Sequence, residues 1–392
     1  MRALSGVRVL HLADLHMYLS GPRAEECRRV IDWIAVNVKE IKPDVIIIAG
    51  DIFEHRSSPQ ERLFFAEFLR AVCDVAKVFI INGNHDDRDD LRLFRKEYGW
   101  QVPVEIILDP DVRSYAGLSM AFLPWPCLGN LAAKAASTES IATRRELARA
   151  ALVDVIRGFR NDKGIAPNLP SLLVAHISVT GASMDSGQPV SGGEEIALSI
   201  VDLLESGAAG VALGHIHLRQ EMKGCIGRPV FYAGAPFRGS FGEAKGTKGG
   251  LIWDWDGKAW QVTPWEVPAR SMVLIERAYA LAETGELAPI GGTLFDEAIV
   301  KDADVRVRVT FPAECREAMR EAMAAEFDAL RAVAHSTMVE ERPVIVSRTR
   351  CVEITAARTT IEKLRAWAEA VGSEVPEGTE TKLQALEGGG IS

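Results

Sequence analysis

Lys77-Val78-Phe79-Ile80-Ile81-Asn82-Gly83-Asn84-His85-Asp86 is the stretch from which the rest of the chain can be read. Its first half is an unbroken apolar run, the pattern of a strand buried on both faces. Its second half is a glycine followed by an amide, an imidazole and a carboxylate. The same sentence recurs elsewhere. Val7–Leu12 leads into Asp14-Leu15-His16, and Val45–Ala49 into Gly50-Asp51. Ser171–Ala175 delivers His176, and Gly210–Leu213 delivers Gly214-His215-Ile216-His217.

Between the first three strands lie helices. Glu25–Glu40 has a helical stripe of Val30, Ile31, Ile34 and Val38. Ser58-Pro59-Gln60-Glu61 is a helix start, with a hydroxyl cap, a proline at the first position and a glutamate three residues on. Strand–helix–strand repetition implies right-handed crossovers and a largely parallel sheet. Thr143–Arg160 reads as an amphipathic helix, and Pro229–Ala233 and Gly249–Asp254 read as strands, so the sheet continues or a second one packs on it. After a break near Pro268, strands are expected at Ser271–Arg277, Asp304–Thr310 and Pro343–Ser347, with a helix at Ala313–Val333. Helices at Thr359–Ala370 and Glu380–Glu387 and a disordered glycine tail close the chain.

Open α/β sheets gather ligands at the carboxyl ends of their strands. Asp14, His16, Asp51, Asn84, His85, His176, His215 and His217 would therefore share one rim, with enough donors for two metal ions. Asp51 is the natural anionic bridge. Two cations about 3.5–4 Å apart can stabilise both the attacking and the leaving oxygen of an in-line displacement, and they acidify water between them. Mixed imidazole, carboxylate and amide donors suit manganese, iron or zinc better than magnesium. His85, next to a ligand, is free to face substrate and give a proton to the leaving oxygen.

Bulk properties agree with this chemistry. The 392 residues suffice for two or three domains, and 47% hydrophobic with 25% charged residues is a globular composition. Of the net charge of −9, residues 1–270 carry −2 and residues 271–392 carry −7. No global basic field draws nucleic acid in, so such affinity must come from local groups. Cys27, Cys73, Cys127, Cys225, Cys315 and Cys351 form no CxxC pair and read as free thiols. Without a signal-peptide pattern or an 18-residue apolar run, a cytoplasmic protein off the membrane is expected.

The ligand set resembles the calcineurin-like metallophosphoesterase superfamily. Three further stretches resemble its SbcD-type branch, the nuclease subunits of double-strand-break repair and their phage relatives. They are Asp51-Ile52-Phe53-Glu54 followed by Ser57-Ser58-Pro59, the His176–Ala182 stretch leading to Gly192-Gly193, and Tyr232–Glu243. The resemblance implies an α/β fold: a metallophosphoesterase β-sandwich flanked by helices, a smaller α/β cap domain and C-terminal helices. The corresponding divisions are 1–268 for the nuclease domain, 269–350 for a DNA-recognition cap and 351–392 for the helices and tail.

Carried over, it implies one metal on Asp14, His16, Asp51 and His217, and another on Asp51, Asn84, His176 and His215. His85 would be catalytic and Asp86 would orient it. It further implies two Mn2+ ions, DNA as substrate, a homodimer and an SbcC-like coiled-coil ATPase partner. Its expected role is exonuclease and endonuclease action in DNA repair and recombination. Three residues after Asp51, where many relatives place His or Asp, this chain has Glu54, followed by His55. Together with Arg56, Arg88 and Arg238 they are candidate substrate contacts. The stripe Ile361, Leu364, Trp367, Ala368 and Val371 is a candidate surface for the ATPase.

Blander readings apply to other residues. His11, inside the first strand, is expected to be buried and hydrogen-bonded, His335 to lie on the surface, and Arg144, Arg145, Arg149, Arg157 and Arg160 to form a solvated helix face. Two rivals stand beside the nuclease: a small-molecule or cyclic-nucleotide phosphodiesterase of the same superfamily, and an architectural subunit that tethers DNA ends.

Overall fold

Val9 and His11 of the first strand face one way while Leu10 and Leu12 face the other, and both sides are buried. That alternation generates the layers. The computed structural model describes residues 6–99, 102–126, 141–184, 196–223, 227–244, 246–282, 286–292, 294–344 and 352–387. Cys127, Cys225, Cys351, Gly192-Gly193 and the terminal glycine run lie outside the described residues.

The strands are β1 (Arg8–Leu12), β2 (Val45–Ala49), β3 (Lys77–Ile81), β4 (Val104–Ile107), β5 (Asp111–Tyr115), β6 (Leu118–Leu123) and β7 (Ser171–His176). They continue with β8 (Ser178–Val179), β9 (Ala197–Leu198), β10 (Gly210–Gly214), β11 (Gln220–Glu221), β12 (Val230–Tyr232), β13 (Gly249–Trp255) and β14 (Trp260–Glu266). Last come β15 (Met272–Leu281), β16 (Leu287–Ile290), β17 (Asp304–Pro312) and β18 (Ser336–Val344).

Two six-stranded sheets result, in the orders β14-β13-β1-β2-β3-β4 and β11-β12-β10-β7-β6-β5. In the first, β1 to β4 are parallel, β13 runs against them, and β14, antiparallel to β13, runs with them again. In the second, β6, β7, β10 and β12 are parallel. The expected parallel sheet is thus two mixed sheets. Three apolar clusters explain the stacking. Val9, Ile47, Phe79, Phe122, Val174 and Trp253 join the two inner faces. Leu10, Ile48 and Ile80 meet the helices Ala24–Ile41 and Pro59–Cys73 on one outer face. Leu173, Ala175 and Leu213 meet the helix Ile141–Gly158 on the other. The order helix–sheet–sheet–helix is the helix-flanked sandwich that the ligand pattern anticipated.

The helix at Pro59 starts as the sequence requires: Ser58 Oγ accepts from Glu61 N at 3.2 Å and Glu61 Oε2 accepts from Ser58 N at 2.8 Å. His11 is fully buried beside Trp253. Neither of its ring nitrogens has a hydrogen bond of regular geometry, contrary to expectation. Burial lowers it to about 3, with the Leu213 backbone opposing, so the ring is neutral. His335 is exposed, as expected.

By its contacts the chain divides into two units. One comprises Met1–Ile275, Phe295–Val307 and Ala329–Met338, the other Glu276–Leu294, Arg308–Asp328 and Val339–Ser392. The four-stranded sheet β16-β15-β17-β18 belongs to the later part of the chain. Within the second unit Arg277 Nη2 is shared between both carboxylate oxygens of Glu326 at 3.0 Å. The final strand runs Ser336–Val344 rather than starting at Pro343. No helix among the described residues is long and apolar enough to cross a membrane.

Candidate metal centre

The parallel strands of both sheets end at one edge. There the loops after β1 and β2 are zipped together: Asp14 N donates to Gly50 O and His16 N to Asp51 O, each at 3.0 Å, and Met17 N to Ile52 O at 2.8 Å. The loop after β3 is tied to them by Asp86. Its carboxylate accepts from Ile52 N, Phe53 N and Gly83 N at 2.8–3.0 Å. On the second sheet, His176 sits beside Gly214 in register. The β10 loop is joined to β1 by His215 N donating to Asp14 Oδ1 at 2.8 Å.

These links hold strained backbone. Asp14, His16, Asp51 and His215 all have positive φ, at 53°, 39°, 50° and 101°. Non-glycine residues adopt such angles at a cost of order 1–3 kcal/mol, and they cluster where a site needs them. Space is equally tight: a Cβ on Gly83 would stand 2.0 Å from Asp51 Oδ1. Only a residue without one lets the Asn84 loop approach Asp51.

The side chains bring their ligand atoms face to face. His176 Nδ1 donates to Ala49 O at 2.7 Å, so its Nε2 is bare, yet that atom faces Asn84 Oδ1 at 3.0 Å and Asp51 Oδ2 at 3.3 Å. His215 Nδ1 lies 2.9 Å from the same Asn84 oxygen. His217 Nδ1 is directed to Glu243 Oε1 at 3.1 Å, and its Nε2 faces His16 Nε2 at 2.9 Å. Asp51 Oδ1 accepts from His85 N at 2.9 Å, which leaves Oδ2 between His176 and His16, at 3.3 and 3.6 Å. Asp14 Oδ2 is buried without a hydrogen-bond partner.

Acceptors that face each other in a buried place need positive charge between them. Protons are one source. Burial opposes charging His176, but Asp51 and Asp14 outweigh it and push the ring up to about 9. His217 is likewise raised to about 9, against burial, by Glu243 and Asp14. Burial also opposes ionising Asp51, yet His176, His16 and the His85 N–H hold it ionised far below the usual carboxylate range. Divalent cations are the other source. Cations bound about 2.0–2.2 Å from two ligand atoms keep those atoms roughly 3 Å apart, the spacing found here. Among the described residues three triads have ligand atoms within 4.8 Å of one another: Asp14-His16-His217, His16-Asp51-His85 and Asp51-His176-His215. The residues fit two ions sharing Asp51.

His85 stands slightly apart. Its Nδ1 donates to the Glu54 carbonyl at 2.7 Å, leaving Nε2 as the working nitrogen, and its ring meets His16 edge-on at 4.9 Å. The partner of the ring is therefore the Glu54 main chain. Asp86 acts on the loops, because its carboxylate is occupied by three backbone N–H groups.

The proposed substrate contacts fall in different places. The Glu54 carboxylate lies 2.7 Å from His16 Nδ1, an ion-pair contact without regular hydrogen-bond angles, and His16 lowers its pKa. His55 is exposed and lines a cleft of about 390 Å³ with Asp14, His16, Tyr18, His217 and Phe237. Arg56 is 82% exposed and 3.5 Å from Asp87, and Arg88 pairs with Asp109 at 2.7 Å. Arg238 must be corrected. It is buried, and its three nitrogens donate to the carbonyls of Ala244, Arg270 and Gly246, so the guanidinium holds the loop together instead of facing substrate.

Three participants are not evident from the sequence. Glu243 buttresses His217, and buried Lys248 holds its other oxygen at 3.1 Å. Trp125 lies over His215, with ring centroids 5.1 Å apart. The signal for Trp125 is its place two residues beyond β6, a strand that the motifs do not mark.

Residues 7–219 match the pattern of the calcineurin-like phosphoesterases. The chain belongs to that family. It is 31% identical over 270 residues to the D subunit of the nuclease SbcCD from Bacillus subtilis (strain 168), covering 63% of this chain. The match spans 66% of that relative's length, just under two thirds. Among solved structures, a dimetal phosphatase from Danio rerio is similar at 11% identity and a TM-score of 0.38, over 66% of this chain and 99% of that one. TT1561 of Thermus thermophilus gives 10% identity and 0.37, over 66% and 98%. The family and the likeness to an SbcD protein are those the motifs suggested.

Proposed function

We propose that the chain is a metal-dependent DNA nuclease of the SbcD type, a phosphoric diester hydrolase acting on double-strand ends or hairpins in repair and recombination. The observation that carries this reading is the paired cluster of bare ligand atoms around Asp51 Oδ2, on a chain whose similarity to an SbcD protein extends over 270 residues. One ion would be held by Asp14, His16, Asp51 and His217, the other by Asp51, Asn84, His176 and His215. Such a pair, most suitably Mn2+, supplies charge at the attacking and leaving oxygens.

The chain's own groups do the rest. Glu54 O fixes the His85 tautomer, which leaves Nε2 as the nitrogen that delivers a proton to the leaving oxygen. Asp86 keeps the three loops in mutual register. In this reading Glu54, His55, Arg56 and Arg88 are the candidate contacts to the phosphate backbone. By the same reading 269–350 caps and recognises DNA, the chain dimerises, and 351–392 engages an SbcC-like ATPase in the cytoplasm.

The test uses the purified chain with manganese, with and without the ATPase, beside His85→Ala. Substrates are a labelled linear duplex, a hairpin and a chromogenic phosphodiester. Cleavage of DNA that His85→Ala abolishes is expected. Cleavage of the small ester alone would replace the nuclease with a small-molecule phosphodiesterase, and metal binding without any cleavage would favour a tether.

A further inference from the structure

Trp125 also lines a second cavity, of about 150 Å³ and mainly apolar lining. Its floor is core: Leu108, Leu123 and Leu152 are 4%, 1% and 3% exposed. Val155 forms one wall and the Arg88–Asp109 pair the rim. Pro110, Pro124 and Pro126 complete the lining together with Trp125, which also lies against His215 and His176 of the metal centre. The indole ring lies 5.1 Å from His215, tilted by 32°, and 5.9 Å from His176, edge-on at 79°. The backbone is pinned as well, with Trp125 N donating to Asn82 O at 3.0 Å, two residues before Asn84.

Water over a floor of leucines makes no hydrogen bonds to it, so a flat apolar ring displaces it favourably. The size suits one heteroaromatic ring system. Stacking on an aromatic face is how proteins hold bases without reading their identity. Arg88 at the rim adds a cation for an adjoining phosphate.

We propose that this cavity is a nucleobase subsite, which takes the base of the nucleotide next to the bond being cut and stacks it on Trp125. It rests on the reading that the chain cleaves DNA. A base reaches it only after leaving its duplex partner, so the subsite favours frayed ends, hairpin loops and single strands over intact duplex.

The test compares wild type, Trp125→Ala and Val155→Trp, all with manganese, on a labelled single strand and on a matched strand whose cut region is an abasic tract. Val155→Trp puts bulk into the cavity from the helix Ile141–Gly158 and leaves Trp125 in place. Wild type should lose about tenfold in kcat/KM on the abasic strand, through KM, the low end of what one stack contributes. Each variant should show that loss on the normal strand and no further loss on the abasic one, with metal content unchanged. An equal fall on both strands in Trp125→Ala would make the indole a mere support for His215 and overturn the subsite, as would no fall in either variant. If wild type cleaves neither strand with metals bound, the subsite is overturned, whereas the nuclease reading is decided separately by the duplex and hairpin substrates above.

Discussion

His16 and His217 turn their Nε2 atoms toward each other across 2.9 Å, and each has a carboxylate at its Nδ1, Glu54 and Glu243 respectively. A carboxylate behind an imidazole fixes its tautomer and raises its basicity toward a cation in front. Burial opposes the charge on Glu243, but His217 and Lys248 bring its pKa down to about 2, so it is a permanent anion. Glu243→Gln should keep the fold and lower metal affinity by about 10–100-fold. Calorimetric titration with Mn2+ reads this directly, and unchanged affinity would remove Glu243 from the centre.

Asp51 differs from the other ligands because a single oxygen, Oδ2, approaches an imidazole from each of the two proposed ion sites, His16 and His176. Asp51→Ala should therefore lose both ions, whereas His85→Ala should keep them and lose turnover. Metal content by plasma emission spectroscopy separates the two variants. One ion retained in Asp51→Ala would refute the bridge, and an ion lost in His85→Ala would make that ring a ligand.

Protonation must oppose metal loading. His176 and His217 are raised to about 9 in the metal-free fold, above an ordinary histidine at about 6.5. A raised pKa means that the folded form binds the proton more tightly. The stability this gives is complete below about pH 6.5 and is lost as pH rises through about 9. The metal-free chain should thus melt several degrees lower at pH 9 than at pH 6.5. Bound metal needs deprotonated rings, so with manganese the trend should reverse. Thermal scans with chelator and with Mn2+ at both pH values check the sign, and parallel trends would count against the site.

How much of this is legible in the sequence depends on burial. β1, β2 and β3 are covered on both faces, so their apolar runs are unbroken and their ends locate Asp14, Asp51 and Asn84. β5 is not: Arg113, Ser114 and Tyr115 are exposed, and its mixed sequence carries no period. With β5 and β6 unread, the second sheet loses its edge and Trp125 its meaning. Ser336–Val344 is hidden for a similar reason, since none of its residues is buried and its glutamates mask the strand. The Arg238 guanidinium illustrates another limit. Sequence gives a cation near a motif, but whether it faces phosphate or three carbonyls is decided by the fold of a loop.

The C-terminal helix Thr360–Val371 begins with a capping box, Thr359 Oγ1 accepting from Glu362 N and Glu362 Oε2 from Thr359 N, and ends on Gly372 in the left-handed region. Such a helix is well formed locally, yet Trp367 and Val371 are 51% and 52% exposed while Ala368 is buried. An exposed tryptophan on an otherwise regular helix is apolar surface suited to a partner. Deleting the chain from Thr359 onward should leave metal content and melting of the rest unchanged and abolish co-purification with an SbcC-like ATPase. Trp367→Glu should weaken that association on a smaller scale. Collapse of the truncated chain would show instead that the helix belongs to its own fold, and undiminished co-purification would move the partner surface elsewhere.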